Sequence, residues 1–207
     1  MCPDNSTHIV ILCYVEINHL LILPHEGSDF MHIPISEIVL TADRLTKRYG
    51  TRNPYELADA LGITIMPRQF VSQLGAYTKI LNNRFIFIKD NLDEYIERIV
   101  LYHELGHDQL HQGNLGRNGA FREFHLFNVA KDRMEYEANV FAAQISIPDE
   151  DILELGRQGY DNQQIAAFLN TDTNLVGYKT EILSYKGIQL NRLEHNNRFL
   201  DGRRYTF

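Results

Sequence analysis

The run His103-Glu104-Leu105-Gly106-His107 constrains this chain more than any other stretch. It is an HExxH pattern inside a segment with helical periodicity. Two histidines four residues apart project from one face of a helix, roughly 40° apart around its axis, so one cation meets both imidazoles. Glu104, one position on, then faces a water on that cation and acts as its general base. This is the spacing of a zinc hydrolase site. The bland alternative is a helix with two solvated or core histidines. Context weighs against it, because the pattern ends a helix that follows a hairpin, and Gly106 leaves room for a crossing backbone beside the ligands.

The rest of the composition sets bounds. A chain of 207 residues, 44% hydrophobic and 23% charged, holds one sizeable core or a main domain with a small appendage. Its formal charge of −7 argues against nucleic acid as a direct partner, since that role favours a basic patch. Cys2 and Cys13 lack CxxC spacing and cannot form a disulfide framework, which favours a reducing compartment. The apolar runs Ile9–Val15 and Leu20–Leu23 are interrupted by Glu16 and His19 and follow no Lys or Arg, so a secretory signal is not expected. No stretch reaches the roughly 20 apolar residues that span a bilayer. A cytoplasmic protein without a membrane partner is the expectation.

Along the chain, residues 1–33 read as an extension, either a short strand pair or a loosely attached segment. Ser36 is a candidate cap for a helix with Ile38, Val39, Leu45 and Tyr49 at helical spacing and Gly50 as its stop. Asn53-Pro54 opens a short helix ending at Gly62. Strands are predicted over Thr64–Met66, Ala76–Leu81 and Arg84–Lys89, with Asn82-Asn83 as a hairpin turn. In the last strand Phe85 and Phe87 alternate with Ile86 and Ile88, a pattern of burial on both faces. Asn91 and Glu94 make a broad capping box for the helix that carries the motif and ends near His111. Residues 112–131 read as a long loop, followed by a helix from Asp132 to Ala143, halted by Pro148. Helical pieces over about 149–157, 162–169 and 174–186 complete the chain. The last two have helix-turn-helix spacing but no basic recognition helix, which points to packing or partner docking.

Catalytic zinc usually has three protein ligands. A third histidine ten residues after the first is ruled out here, because His111 lies eight after His103 and no glycine fills the required place. A glutamate from the next helix is the other option, and Glu135 and Glu137 compete for it. They lie about 200° apart on a helix, so only one faces the site. Glu135 is preferred because Asn139, four residues on, shares its face and could hold a ligating histidine by its second ring nitrogen. Glu137 stays as the alternative.

The segments HELGHDQLH (103–111) and EYEANVFAAQISIP (135–148) resemble the ImmA/IrrE metallopeptidases. The second is similar to that family's ExEANxFAAxxLxP helix, with Ser146-Ile147-Pro148 where Leu-Met-Pro is common. The segment Asn53–Ala58 and the terminal helical pieces are also similar, and the likeness covers roughly residues 36–190. It implies an α+β fold: a mostly helical zincin-like domain with a small sheet before the HExxH helix, and a C-terminal helical segment. The corresponding division is 1–33, 34–148 and 149–207. The resemblance implies a Zn²⁺-dependent endopeptidase that cuts a helix-turn-helix repressor encoded beside it, relieving repression of a mobile element or stress regulon. Too few residues follow Pro148 for the C-terminal sensor domain of longer members, so the chain resembles the short, ImmA-like form.

The expected ligands are therefore His103, His107 and Glu135, with Glu104 as the base. Tyr102, His111 and His125 are candidates for the oxyanion donor, with His111 also a candidate for lining the cleft. A strand beside Arg84–Lys89 is a candidate platform for an extended substrate. The competing function is a non-proteolytic regulator that binds the repressor and keeps its metal for structure.

Overall fold

The computed structural model describes residues 32–71, 73–112 and 129–188. Residues 1–31, and with them most of the expected N-terminal extension, lie outside the described residues, as do His125 and most of the expected loop.

Helix α1 (Ile35–Tyr49) is amphipathic and buries Ile38, Val39, Ala42 and Leu45. It stops at Gly50, whose left-handed backbone (φ 68°) lets its N–H reach the Thr46 carbonyl. Ser36 does not cap it. Pro34 holds the N-cap position, with φ near −61° and no side-chain hydrogen bond, since a proline before the helix already fixes the entry angle. Helix α2 (Pro54–Ala60) begins as expected, with the Asn53 side chain accepting from the Tyr55 N–H.

Three strands follow: β1 (Ile63–Arg68), β2 (Gly75–Ile80) and β3 (Asn83–Lys89). Their order is β1-β3-β2, with β3 parallel to β1 and antiparallel to β2. The hairpin turn falls one residue earlier than Asn82-Asn83. Leu81 (φ 49°) and Asn82 (φ 67°) take the left-handed positions, and Asn83 pairs with Ile80. Ile86 and Ile88 face the core, whereas Phe85 and Phe87 are only half-buried and stack on the other face. Central β3 is thus buried on one face, with its edges covered by β1 and β2.

Helix α3 (Glu94–His111) begins two residues later than Leu92. Asn91 is spent on a left-handed turn (φ 59°) after β3, so Asp93 sits at the N-cap without a side-chain bond. Helix α4 (Val129–Ser146) starts before Asp132 and runs through the core. It packs on α3, α1 and the last helix. Three helices end the described chain: α5 (Asp149–Arg157), α6 (Asn162–Phe168) and α7 (Thr173–Tyr185). A capping box of Asp161 and Gln164 opens α6. α6 and α7 pack against each other, and α7 buries Leu175, Val176, Ile182 and Leu183. The architecture is α+β, a helical body with a small sheet laid against α3.

A buried polar network ties the helices together. Lys179 of α7, fully buried, donates to Gln144 of α4 at 2.6 Å and pairs with Asp149 at 2.5 Å. Gln144 in turn donates to Asp43 of α1 at 2.6 Å. Such a cation holds its place only because its partners compensate the lost hydration.

The crossing of α3 over α4 is set by Gly106. A Cβ there would lie 3.0 Å from both Cα and O of Ala138. Gly106→Ala is therefore expected to force the two helices apart and lower unfolding free energy by about 1–3 kcal/mol. An unchanged denaturation midpoint would contradict this close approach.

Candidate metal centre

α3 and α4 each contribute one face to the site. The four-residue spacing on α3 stacks His103 and His107 so that their Nε2 atoms are 3.0 Å apart. From α4, Glu135 reaches across, with Oε2 at 3.1 Å from His103 Nε2 and Oε1 at 3.7 Å from His107 Nε2. One donor atom from each of the three lies within 4.8 Å of the others, a grouping that fits a metal ion. Ligand atoms bound tetrahedrally at about 2.0–2.1 Å stand about 3.3 Å apart, so two imidazoles and a carboxylate at these distances match such an ion.

The ring nitrogens that face away from this cluster are also engaged. His103 Nδ1 lies 2.9 Å from Asn139 Oδ1, the contact anticipated from the spacing of Glu135 and Asn139. An amide oxygen only accepts, so Asn139 makes His103 Nδ1 a donor and leaves Nε2 turned to the cluster, where it would be free to bind an ion once its own proton is lost. His107 Nδ1 lies 3.0 Å from His111 Nδ1, and His111 Nε2 lies 3.0 Å from Glu137 Oε2. Glu137, the alternative third carboxylate, thus points to His111 and away from the three-residue cluster. Its Oε1 accepts from the Ile33 N–H at 3.0 Å and lies 3.1 Å from His32 Nδ1.

Glu104 is buried beside the histidines. A backbone hydrogen bond from Tyr77 on β2 reaches its carboxylate, and Gly75 leaves the space it occupies. A Cβ on Gly75 would sit 2.5 Å from Val100 Cγ1 and 2.9 Å from Glu104 Oε1. Burial pushes the Glu104 carboxyl up to about 7, with the Glu135 charge adding to this and His103 opposing it. Burial pulls the His103 imidazole down, but Glu135 and Glu104 outweigh it and hold it up at about 8. His107, with burial dominant, falls to about 4. Burial also acts to raise Glu135, yet its contacts with both histidines keep it well below the usual carboxylate range. A single divalent cation would satisfy these crowded acceptors together.

Of the candidate oxyanion donors, Tyr102 and His111 are both buried, at 5% and 1% exposure. His111 instead stands behind His107. Sequence reasoning passed over Gly75, although a glycine opening a strand is a signal of close approach. It also passed over Arg84, whose guanidinium pairs with buried Asp108 at 3.0 Å and so pins α3 to β3 next to His107.

An α+β domain carrying this donor set between two crossed helices has the make-up of a metallopeptidase. The family model of the M78 peptidases, described as an IrrE N-terminal-like domain, matches residues 58–181. The chain is 38% identical over 117 residues to uncharacterized immunity region protein 2 of Bacillus phage phi105, covering 56% of this chain and 72% of that one. It is 32% identical over 151 residues to the metallopeptidase ImmA of Bacillus subtilis (strain 168), covering 71% of this chain and 84% of that one. The chain belongs to the ImmA/IrrE metallopeptidase family. Membership implies a metal ion and a protein substrate. Among the described residues no helix is long and apolar enough to cross a membrane.

Gly75→Ala tests the seat of Glu104. The added methyl is expected to displace the carboxylate while leaving bound metal unchanged, and a misplacement of that order costs about a hundredfold in turnover. Peptidase activity equal to the parent's, at equal metal content, would show that Gly75 does not set this position.

Proposed function

We propose that this protein is a zinc-dependent endopeptidase that cleaves a helix-turn-helix transcriptional repressor in the cytoplasm. The convergence of His103, His107 and Glu135 beside buried Glu104 carries the reading. These three residues would hold the ion, and Asn139 fixes the ring of His103. Zinc bound there supplies Lewis acidity, which polarises a peptide carbonyl and eases deprotonation of water. Glu104 takes a proton from the attacking water and delivers it to the departing amine. The Tyr77 backbone and the gap at Gly75 keep its carboxylate in place between β2 and α3.

β2 lies at an edge of the three-stranded sheet and packs on α3, the helix that carries the histidines. It is the neighbour of β3 suited to pairing with an extended segment of substrate, which would run past Glu104. The repressor assignment draws on the family resemblance and on the phage immunity region named for one relative. Charge agrees with it. A protein of net charge −7 attracts a basic DNA-binding protein and repels DNA itself.

Glu104→Gln separates this reading from a regulator that acts by binding alone. With the repressor co-expressed, the variant is expected to keep stoichiometric zinc and leave the repressor whole, losing about a hundredfold or more in cleavage rate. Normal derepression with intact repressor would favour the binding regulator. Normal cleavage would remove Glu104 from the role of base.

A further inference from the structure

We propose that His111 and Glu137 form a positioning relay behind His107, which makes Glu137 a determinant of metal retention without being a ligand. The proposal rests on the ligand set given above, and its support is a continuous buried chain of polar atoms. His107 Nδ1 and His111 Nδ1 are 3.0 Å apart, and His111 Nε2 and Glu137 Oε2 are 3.0 Å apart. His111 and Glu137 are 1% and 2% exposed, so neither has bulk water as an alternative partner.

Donor and acceptor chemistry then permits one direction for the chain. For His107 Nε2 to hold a cation, its proton must sit on Nδ1 and be donated to His111 Nδ1. That nitrogen must be bare, so His111 carries its own proton on Nε2 and donates it to the Glu137 carboxylate. A carboxylate only accepts and cannot reverse the order. The other oxygen of Glu137 is fixed by the Ile33 N–H and faces His32, which anchors the relay to the chain entering α1.

The two histidines are therefore supported unequally. His103 leans on one neutral amide, whereas His107 leans on an imidazole backed by a negative charge. The second arrangement both fixes the tautomer and raises the basicity of Nε2. It also gives the paired glutamates of α4 complementary work. About 200° apart on the helix, Glu135 approaches the front of His107, and Glu137 supports its back through His111.

The test uses the full chain with Zn²⁺ alone, its affinity measured by competition with a chromophoric chelator, and Co²⁺ as a spectroscopic probe. His111→Phe and Glu137→Gln are each expected to weaken Zn²⁺ binding by about 10–100-fold and to shift the visible Co²⁺ bands. The double variant should be no weaker than the worse single one, because either change breaks the same series. If either protein fails to fold, Glu137→Asp keeps the carboxylate, shortens its reach and should still weaken binding measurably. Parental affinity and spectrum in these variants, with metal lost in Glu135→Gln, overturns the relay and leaves the ligand set standing. Additive losses in the double variant would also overturn it. Metal lost in Glu137→Gln but kept in Glu135→Gln overturns the ligand set itself.

Discussion

The contact of α3 with α4 at Gly106 and Ala138 brings together the two helix faces that form the candidate site. Helices normally pack 8–10 Å apart, at a distance set by the side chains between them. Here one helix presents no side chain at the crossing and the other presents alanine, with no room for a further methyl. His103 and His107 flank that glycine on α3, while Glu135 and Asn139 flank Ala138 on α4. The same approach that packs the core therefore brings two imidazoles against a carboxylate.

Around that crossing, buried polar groups are matched in detail. Asn139 meets His103, the chain from His111 to Glu137 meets His107, and Arg84 meets Asp108 one residue further along α3. Lys179, Asp149 and Gln144 do the same at the far end of α4. Each group would be costly to bury alone, so together they permit few alternative packings of α4. A donor set of this kind has to be rigid before an ion arrives, because loose side chains would have to be ordered at the expense of binding.

Much of this was legible in the sequence because it follows from helical period. The four-residue spacings of His103 with His107 and of Glu135 with Asn139 define helix faces without reference to the rest of the fold. The three strands, and helices α2 and α5 to α7, were legible for the same kind of reason, through alternation and caps such as Asn53. What stayed hidden depends on neighbours remote in sequence. Ser36 and Asn91 both look like helix caps, but Pro34 and a left-handed turn take precedence. His111 was readable as a residue near the histidine face of α3, but its contact with the carboxylate of Glu137 was not. Gly75 acquires its meaning only once β2 lies on α3 beside Glu104.

The central claim is that His103, His107 and Glu135 bind one zinc ion. X-ray absorption at the zinc edge, on protein loaded with one equivalent, examines it most directly. The account predicts the scattering of two imidazoles together with oxygen donors, all at about 2.0–2.2 Å. A sulfur shell near about 2.3 Å, or the signal of fewer than two imidazoles, would contradict it.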